Sequence, residues 1–234
     1  MNKDLLIGLL IFCIGLTIKF FPAIDIALLT FFNKFLFNET FYSYFTELGS
    51  GWIAVALIFP LMSFISHKSK KMVYVPVQAL IISGIYIGIL VQLMKEQIFP
   101  FTRPAMEAID GITYLEPIFK YSTFPSGHAA TIFGSILIWF KLGASTTENR
   151  SNNLLYFLAI SVAAFIALSR VIIAAHWFSD ILASLGFVLI FRSALTLNFF
   201  KNHLVESKTG KFFSYFLIAV AWIGIIFFDI SEYF

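Results

Sequence analysis

Charge is scarce in this sequence. Only 12% of its 234 residues are Asp, Glu, Lys or Arg, about half the share that a soluble domain carries. So few charges cannot clothe a water-facing surface. With 59% hydrophobic residues and a mean hydropathy of +0.89, the composition dictates an integral membrane protein. Cysteine is nearly absent. Cys13 stands alone, which excludes an internal disulfide and says nothing about redox compartment. The net charge of +3 is too small to imply a nucleic-acid partner. A signal-cleavage site is missing too. The opening run MNKDLLIGLLIFCIGLTIKF has the make-up of a signal peptide, but Phe-Phe-Pro-Ala-Ile-Asp follows it where small residues would be needed. It is therefore expected to stay as a first span. Neither an internal repeat nor a separate soluble segment is visible, so 1–234 reads as one all-α membrane domain.

What is present is a series of long apolar runs. A spanning helix needs about 20 mostly apolar residues, fewer when its ends snorkel. The sequence offers such runs near 5–21, 51–66, 72–94, 129–144, 154–170, 177–199 and 212–228. Two longer connections interrupt the rhythm. Residues 22–50 carry the aromatic-rich FFNKFLFNETFYSYF, suited to lying flat at the membrane interface. Residues 95–128 hold Pro100, Pro104, Pro117 and Pro125, which reads as loop rather than continuous helix. With a cytoplasmic N-terminus, one side receives ten basic and three acidic residues, the other six basic and ten acidic. That asymmetry follows the positive-inside rule. It places 22–50, 95–128 and the turn at 170–176 together on the side away from the cytoplasm.

Most of the ionisable residues at oily helix ends fall on that side. Ionisable groups near a bilayer core are costly and usually have a task. Taken singly, Lys95 reads as a snorkelling anchor, Arg103 as a loop cation and His128 as a capping residue. The stretch FPSGH is more specific. Ser126 is suited to cap a helix whose free N–H groups can hold an anion, Gly127 permits close approach, and His128 follows at the helix start. Further on, His176 and Asp180 stand four residues apart, so they are expected to share one helix face. A carboxylate bonded to one imidazole nitrogen fixes the tautomer and leaves the other nitrogen to react. Arg170 and Arg103 bring planar donor forks that match phosphate oxygens. Together these residues suit phosphoryl transfer, which needs cationic donors around spreading oxygen charge and in-line positioning. No His, Cys or carboxylate set has zinc or iron spacing. His67 and His203 fall on the opposite side.

These motifs resemble the type 2 phosphatidic acid phosphatase (PAP2) superfamily, which also includes vanadium haloperoxidases. The family is marked by a Lys…Arg-Pro element, a Pro-Ser-Gly-His element and Ser-Arg-x5-His-x3-Asp. Here the second is Pro125-Ser126-Gly127-His128, and the third runs from Ser169-Arg170 through His176 to Asp180 without deviation. The resemblance implies a six-helix transmembrane phosphatase core, with 212–228 as an extra C-terminal span. It implies His176 as nucleophile, Asp180 as its orienter and His128 as acid. Lys95, Arg103, Ser126, Gly127 and Arg170 would hold the phosphate, with no metal or other cofactor. One departure stands out: seven residues, not six, separate Lys95 from Arg103-Pro104. The expectation is that the extra residue is absorbed at Pro100, or else that Lys95 is displaced.

The expected activity is hydrolysis of a lipid phosphate at the periplasmic face of a bacterial inner membrane. Small size and sparse loops are similar to bacterial members that act on undecaprenyl pyrophosphate, phosphatidylglycerol phosphate, phosphatidic acid or lipid A phosphates. The context AAHWFSD is similar to those acting on lipid A phosphate, although motif geometry does not choose. A lipid-to-lipid phosphotransferase, and a non-enzymatic transporter or sensor, are the competing readings. Oligomeric state is not legible.

Overall fold

The computed structural model describes residues 2–69, 72–115, 117–144, 150–195 and 208–228. Among these residues there is no strand, only helices and connections. The helices are α1 (Lys3–Lys19), α2 (Pro22–Asn33), α3 (Glu39–Glu47), α4 (Gly51–Lys68), α5 (Val77–Ile98), α6 (Gly127–Gly143), α7 (Arg150–Ile172), α8 (Phe178–Ala194) and α9 (Lys208–Phe227). Four described stretches are long and apolar enough by themselves to cross a membrane: α4, α5, residues Leu154–Ile172 of α7, and α9. The 17-residue helices α1, α6 and α8 each reach about 25 Å at 1.5 Å per residue, short spans that need polar ends to finish the crossing.

The centre of the bundle is α6, which packs on α5, α7 and α8. Its Ala129, Ile132, Phe133, Ile136 and Leu137 are buried. Large apolar side chains such as Leu10, Phe64, Ile89, Phe157 and Ile226 instead point outward, as a lipid solvent permits. The extra C-terminal span α9 lies against α4 and α5.

Local signals explain the helix ends. Asn2 caps α1 through a bond from the Asp4 N–H, and acidic Asp4 and basic Lys19 match the two poles of that helix. Ser50 caps α4 through the Trp52 N–H at 3.2 Å, and Ser126 caps α6. The chain turns by 96° between α1 and α2, and the aromatic segment 31–45 runs from the end of α2 through most of α3. Span 72–94 differs from expectation at both ends. Pro76 holds the helix start to Val77, and α5 runs on to Ile98 through a π-helical turn, Met94–Ile98. The run expected at 177–199 starts at Phe178 as α8, and its last residues lie outside the described residues.

Helices α1 and α8 are antiparallel and in intimate contact. Small residues let the backbones close up: a Cβ added at Gly8 would lie 2.8 Å from the Gly186 carbonyl oxygen, and one at Gly15 2.8 Å from the Ala183 nitrogen. Each end of the pair carries an ion pair. Arg192 donates twice to the Asp4 carboxylate at 2.9 Å, and Lys141 stands 3.6 Å from the same group. Lys19 meets Asp180 at 3.0 Å at the other end. The charges that the sidedness count placed on one face are thus neighbours in space. Gly186→Leu should force α1 away from α8, at a cost of order 1–3 kcal/mol. A lowered unfolding temperature in detergent is the expected result, and an unchanged one would contradict this packing.

Candidate active site

Asp180 is the hub of the polar end. It sits at the third position of α8, and its Oδ2 accepts the Trp177 backbone N–H at 2.9 Å. His176 Nδ1 lies 3.1 Å from the same oxygen, and Thr123 donates its hydroxyl to it as well. Oδ1 accepts from Lys19 Nζ at 3.0 Å. Four donors suit an ionised, acceptor-only carboxylate. The Thr123 oxygen is also 3.2 Å from His176 Nδ1. Its single proton goes to Asp180, so toward Nδ1 it can only accept. Nδ1 therefore carries the imidazole proton, and the lone pair resides on Nε2. The expected shared helical face of His176 and Asp180 is corrected here. His176 precedes the helix in a tight turn, with Trp177 as N-cap, and the pair meets because Asp180 folds back as a capping side chain.

The turn is pinned from several sides. The Ala175 and His176 N–H groups both reach the Arg170 carbonyl at 3.0 Å. Arg103 donates from Nε to Tyr121 O at 2.9 Å and from Nη1 to Ala175 O at 3.2 Å, and it lies over the Phe119 ring. Trp177 Nε1 bonds the Thr102 carbonyl at 2.9 Å. Irregular segment 99–126 is thereby tied to the start of α8. Arg170, in the last turn of α7, is fully buried and donates to Thr46 Oγ1 at 3.2 Å.

Ser126 accepts the Ala129 N–H at 3.4 Å as N-cap of α6, which sets Gly127 and His128 in the first helical turn. Lys95 lies in the π turn of α5, Met94–Ile98. A π turn accommodates one residue more than an α turn, which offers a place for the extra residue beside Lys95. A Cβ on Gly127 would lie 3.7 Å from Lys95 Nζ, which places that ammonium at the start of α6. Lys95, Arg103, Arg170 and His176 are all within electrostatic reach of His128. The structure thus gathers every residue proposed from sequence at one end of the bundle.

Sequence reading missed several members of the cluster. Lys19, Asp25, Thr46, Glu47 and Thr123 are buried polar residues at this end. Glu47 Oε1 lies 3.6 Å from His128 Nε2, and Asp25 binds Ser179 through both its N–H and its hydroxyl. The only available signal was an ionisable or hydroxyl side chain within an oily or aromatic run, and many surface residues share that. His67 stands at the far end of α4 against Tyr74, and His203 lies outside the described residues.

A cavity of about 660 Å³ opens beside the cluster. Glu47, Lys95, Gly127 and His128 form its polar end, and Trp52, Val55, Ile85, Val91 and Leu217 its apolar wall. Arg103, Ser126, Arg170, His176 and Asp180 are buried beyond that lining. Among the described residues no group of three or more His, Cys, Asp or Glu side chains is placed to hold a metal ion.

A polar end of this composition on an all-helical bundle can be compared with known proteins. The family model of the PAP2 superfamily matches residues 73–204. The chain belongs to that superfamily. It is a multi-pass membrane enzyme of the PAP2 lipid phosphatase type. The crystal structure of Aquifex aeolicus LpxE is similar, with a TM-score of 0.53 and 23% identity over 74% of this chain and 94% of that one. So is that of the first transmembrane PAP2-type phosphatidylglycerolphosphate phosphatase from Bacillus subtilis, with a TM-score of 0.60 and 17% identity over 88% of this chain and all 100% of that one. At such identities these likenesses establish the fold. A search of the curated proteins finds no match. The family match begins after α4, so Lys19, Asp25, Thr46 and Glu47 enter the cluster from outside it.

The hydrogen-bond geometry makes a graded prediction. Asp180→Asn replaces an acceptor by an amide and should slow phosphate release about 10⁴-fold, as loss of an orienting carboxylate does elsewhere. Thr123→Val removes one donor and leaves the His176–Asp180 bond, so a much smaller loss is expected. Steady-state turnover of the two purified variants checks the order, and equal losses would contradict it.

Proposed function

We propose that this protein hydrolyses the phosphate ester or pyrophosphate of a membrane lipid through a phosphohistidine at His176. The observation that carries the reading is the state of that imidazole. Nδ1 is bound at 3.1 Å to a carboxylate with three further donors, which leaves Nε2 as the nucleophile. Its lone pair attacks phosphorus and the bond to the lipid oxygen breaks. His128 gives its proton to that leaving oxygen. Water then attacks the phosphohistidine, His128 takes a proton back, and inorganic phosphate leaves. Lys95, Arg103 and Arg170 supply positive donors for the spreading oxygen charge, and Ser126 and the Gly127 N–H at the start of α6 assist. No step requires a metal.

A lipid substrate fits the cavity. Its headgroup would meet Lys95, Gly127 and His128, while the apolar wall is built from α4, α5 and α9, three helices long and apolar enough to cross a membrane. A phosphate can sit at the cluster while acyl chains stay among apolar side chains. By the charge asymmetry the site faces the periplasm of a bacterial inner membrane. Lipid A phosphate leads the panel of substrates on the likeness of AAHWFSD, with phosphatidylglycerol phosphate and undecaprenyl pyrophosphate next.

The test is a panel of phosphorylated lipids offered to the purified protein, with His176→Ala and Gly88→Trp beside it. Gly88 lines the cavity and has open space around its Cβ position, so an indole there fills the groove without touching the charged end. Free phosphate from at least one lipid, abolished in His176→Ala, is the expected outcome. Gly88→Trp should raise KM about 10-fold or more for long-chain lipid phosphates, as loss of a few buried methylenes would, and leave a short-chain substrate unaffected. Activity surviving in His176→Ala would overturn the mechanism, and phosphate appearing on a second lipid would make the enzyme a transferase.

A further inference from the structure

The second oxygen of Asp180 is held by a residue far away in sequence and outside the family match. Lys19 ends α1, and its ammonium lies 3.0 Å from Asp180 Oδ1, with the two side chains 6% and 0% exposed. The rings of Phe101 and Trp177 flank it at 5.6 and 5.2 Å, which narrows where the ammonium can go and adds cation–π attraction. Helix α1 itself has little freedom, since Gly8 and Gly15 seat it on the α8 backbone and Asp4 ties its other end to Arg192. Asp25, from α2, faces the same spot and clamps the Ser179 N–H at 3.0 Å.

We infer that Lys19 is a positioning residue for the phosphatase reaction, holding the Asp180 carboxylate so that its other oxygen stays on His176 Nδ1. A carboxylate turns easily about its last side-chain bond, where the torsional preference is broad. The Trp177 N–H and the Thr123 hydroxyl hold Oδ2 beside His176, and Lys19 claims Oδ1, so that both oxygens are fixed. The ammonium also balances a carboxylate that burial would otherwise leave uncompensated. Both effects keep Asp180 an acceptor and the imidazole proton on Nδ1. Lys19 does not line the cavity beside Lys95 and His128, so its influence on substrate runs through Asp180 and His176.

This rests on the phosphohistidine reading, and the experiment separates the two. Wild type, Lys19→Gln, Lys19→Arg, Asp180→Asn, the Lys19→Gln/Asp180→Asn double variant and His176→Ala are assayed for phosphate release, and the imidazole nitrogen NMR shifts of His176 are read in the same preparations. Lys19→Gln should lower kcat about 10- to 100-fold, the usual cost of losing a partner that orients a reacting group, with KM changed less than about twofold because the phosphate donors remain. Lys19→Arg should recover most of kcat. In the Asp180→Asn background the Gln change should cost nothing further, since the two act as one unit. The His176 spectrum should move from the Nδ1–H form in wild type to a tautomer mixture in Lys19→Gln. A wild-type kcat and spectrum in Lys19→Gln, or an equal additional loss in the Asp180→Asn background, would overturn the inference and leave Lys19 a mere helix anchor. If Lys19→Gln does not fold, Lys19→Arg decides: retention of the Nδ1–H form supports the tether and its loss in a folded protein contradicts it. Absent turnover in wild type, or turnover surviving in His176→Ala, would sink the phosphohistidine reading, and the spectra would still judge Lys19.

Discussion

A carboxylate with no access to water must have every lone pair answered, and the bonds around Asp180 show how this bundle does it. Lys19 from α1, Thr123 from the 99–126 segment, His176 and the Trp177 N–H from the turn before α8 all converge on one group. An ion of that kind costs several kcal/mol to bury unless it is both paired and hydrogen-bonded. The need to satisfy it brings three separate pieces of chain to the same point. The imidazole tautomer, the cap of α8 and the seating of α1 all follow from that requirement.

Neutral oxygens are among the partners of the two arginines. Arg103 grips the carbonyls of Tyr121 and Ala175, and Arg170 is enclosed against Thr46. Lys95 is turned toward Gly127 by the π turn that ends α5. Their convergence beside His128 gives a buried, strongly positive corner at the end of an oily cavity. Under the proposed function, such a corner would hold the phosphate of a lipid whose acyl chains stay in the membrane.

Much of this was legible in the sequence, because bilayers impose simple rules. Apolar runs marked the spans, proline and polar clusters marked the connections, and the Lys and Arg asymmetry grouped the helix ends that are neighbours in space. Pro125-Ser126-Gly127-His128 and the Ser169 to Asp180 spacing picked out six residues that do gather. Other features were hidden for physical reasons. The π turn at Lys95 leaves no trace in hydrophobic periodicity, so the sequence left absorption at Pro100 and displacement of Lys95 as the two readings of the extra residue. The His176–Asp180 pair was expected on a helical face because a spacing of four fits both a helix and a capping turn. Lys19 and Glu47 look like ordinary end-of-helix charges until the bundle closes and buries them.

The proposed mechanism requires Nε2 of His176 to be the atom that takes phosphate. Turnover of a radiolabelled lipid phosphate, quenched in alkaline detergent where phosphohistidine survives, measures this most directly. The prediction is label bound covalently to the peptide that contains His176, stable to base, labile to acid and lost in His176→Ala. Rapid phosphate release with no protein-bound label at any quench time, or label on another residue, would contradict it.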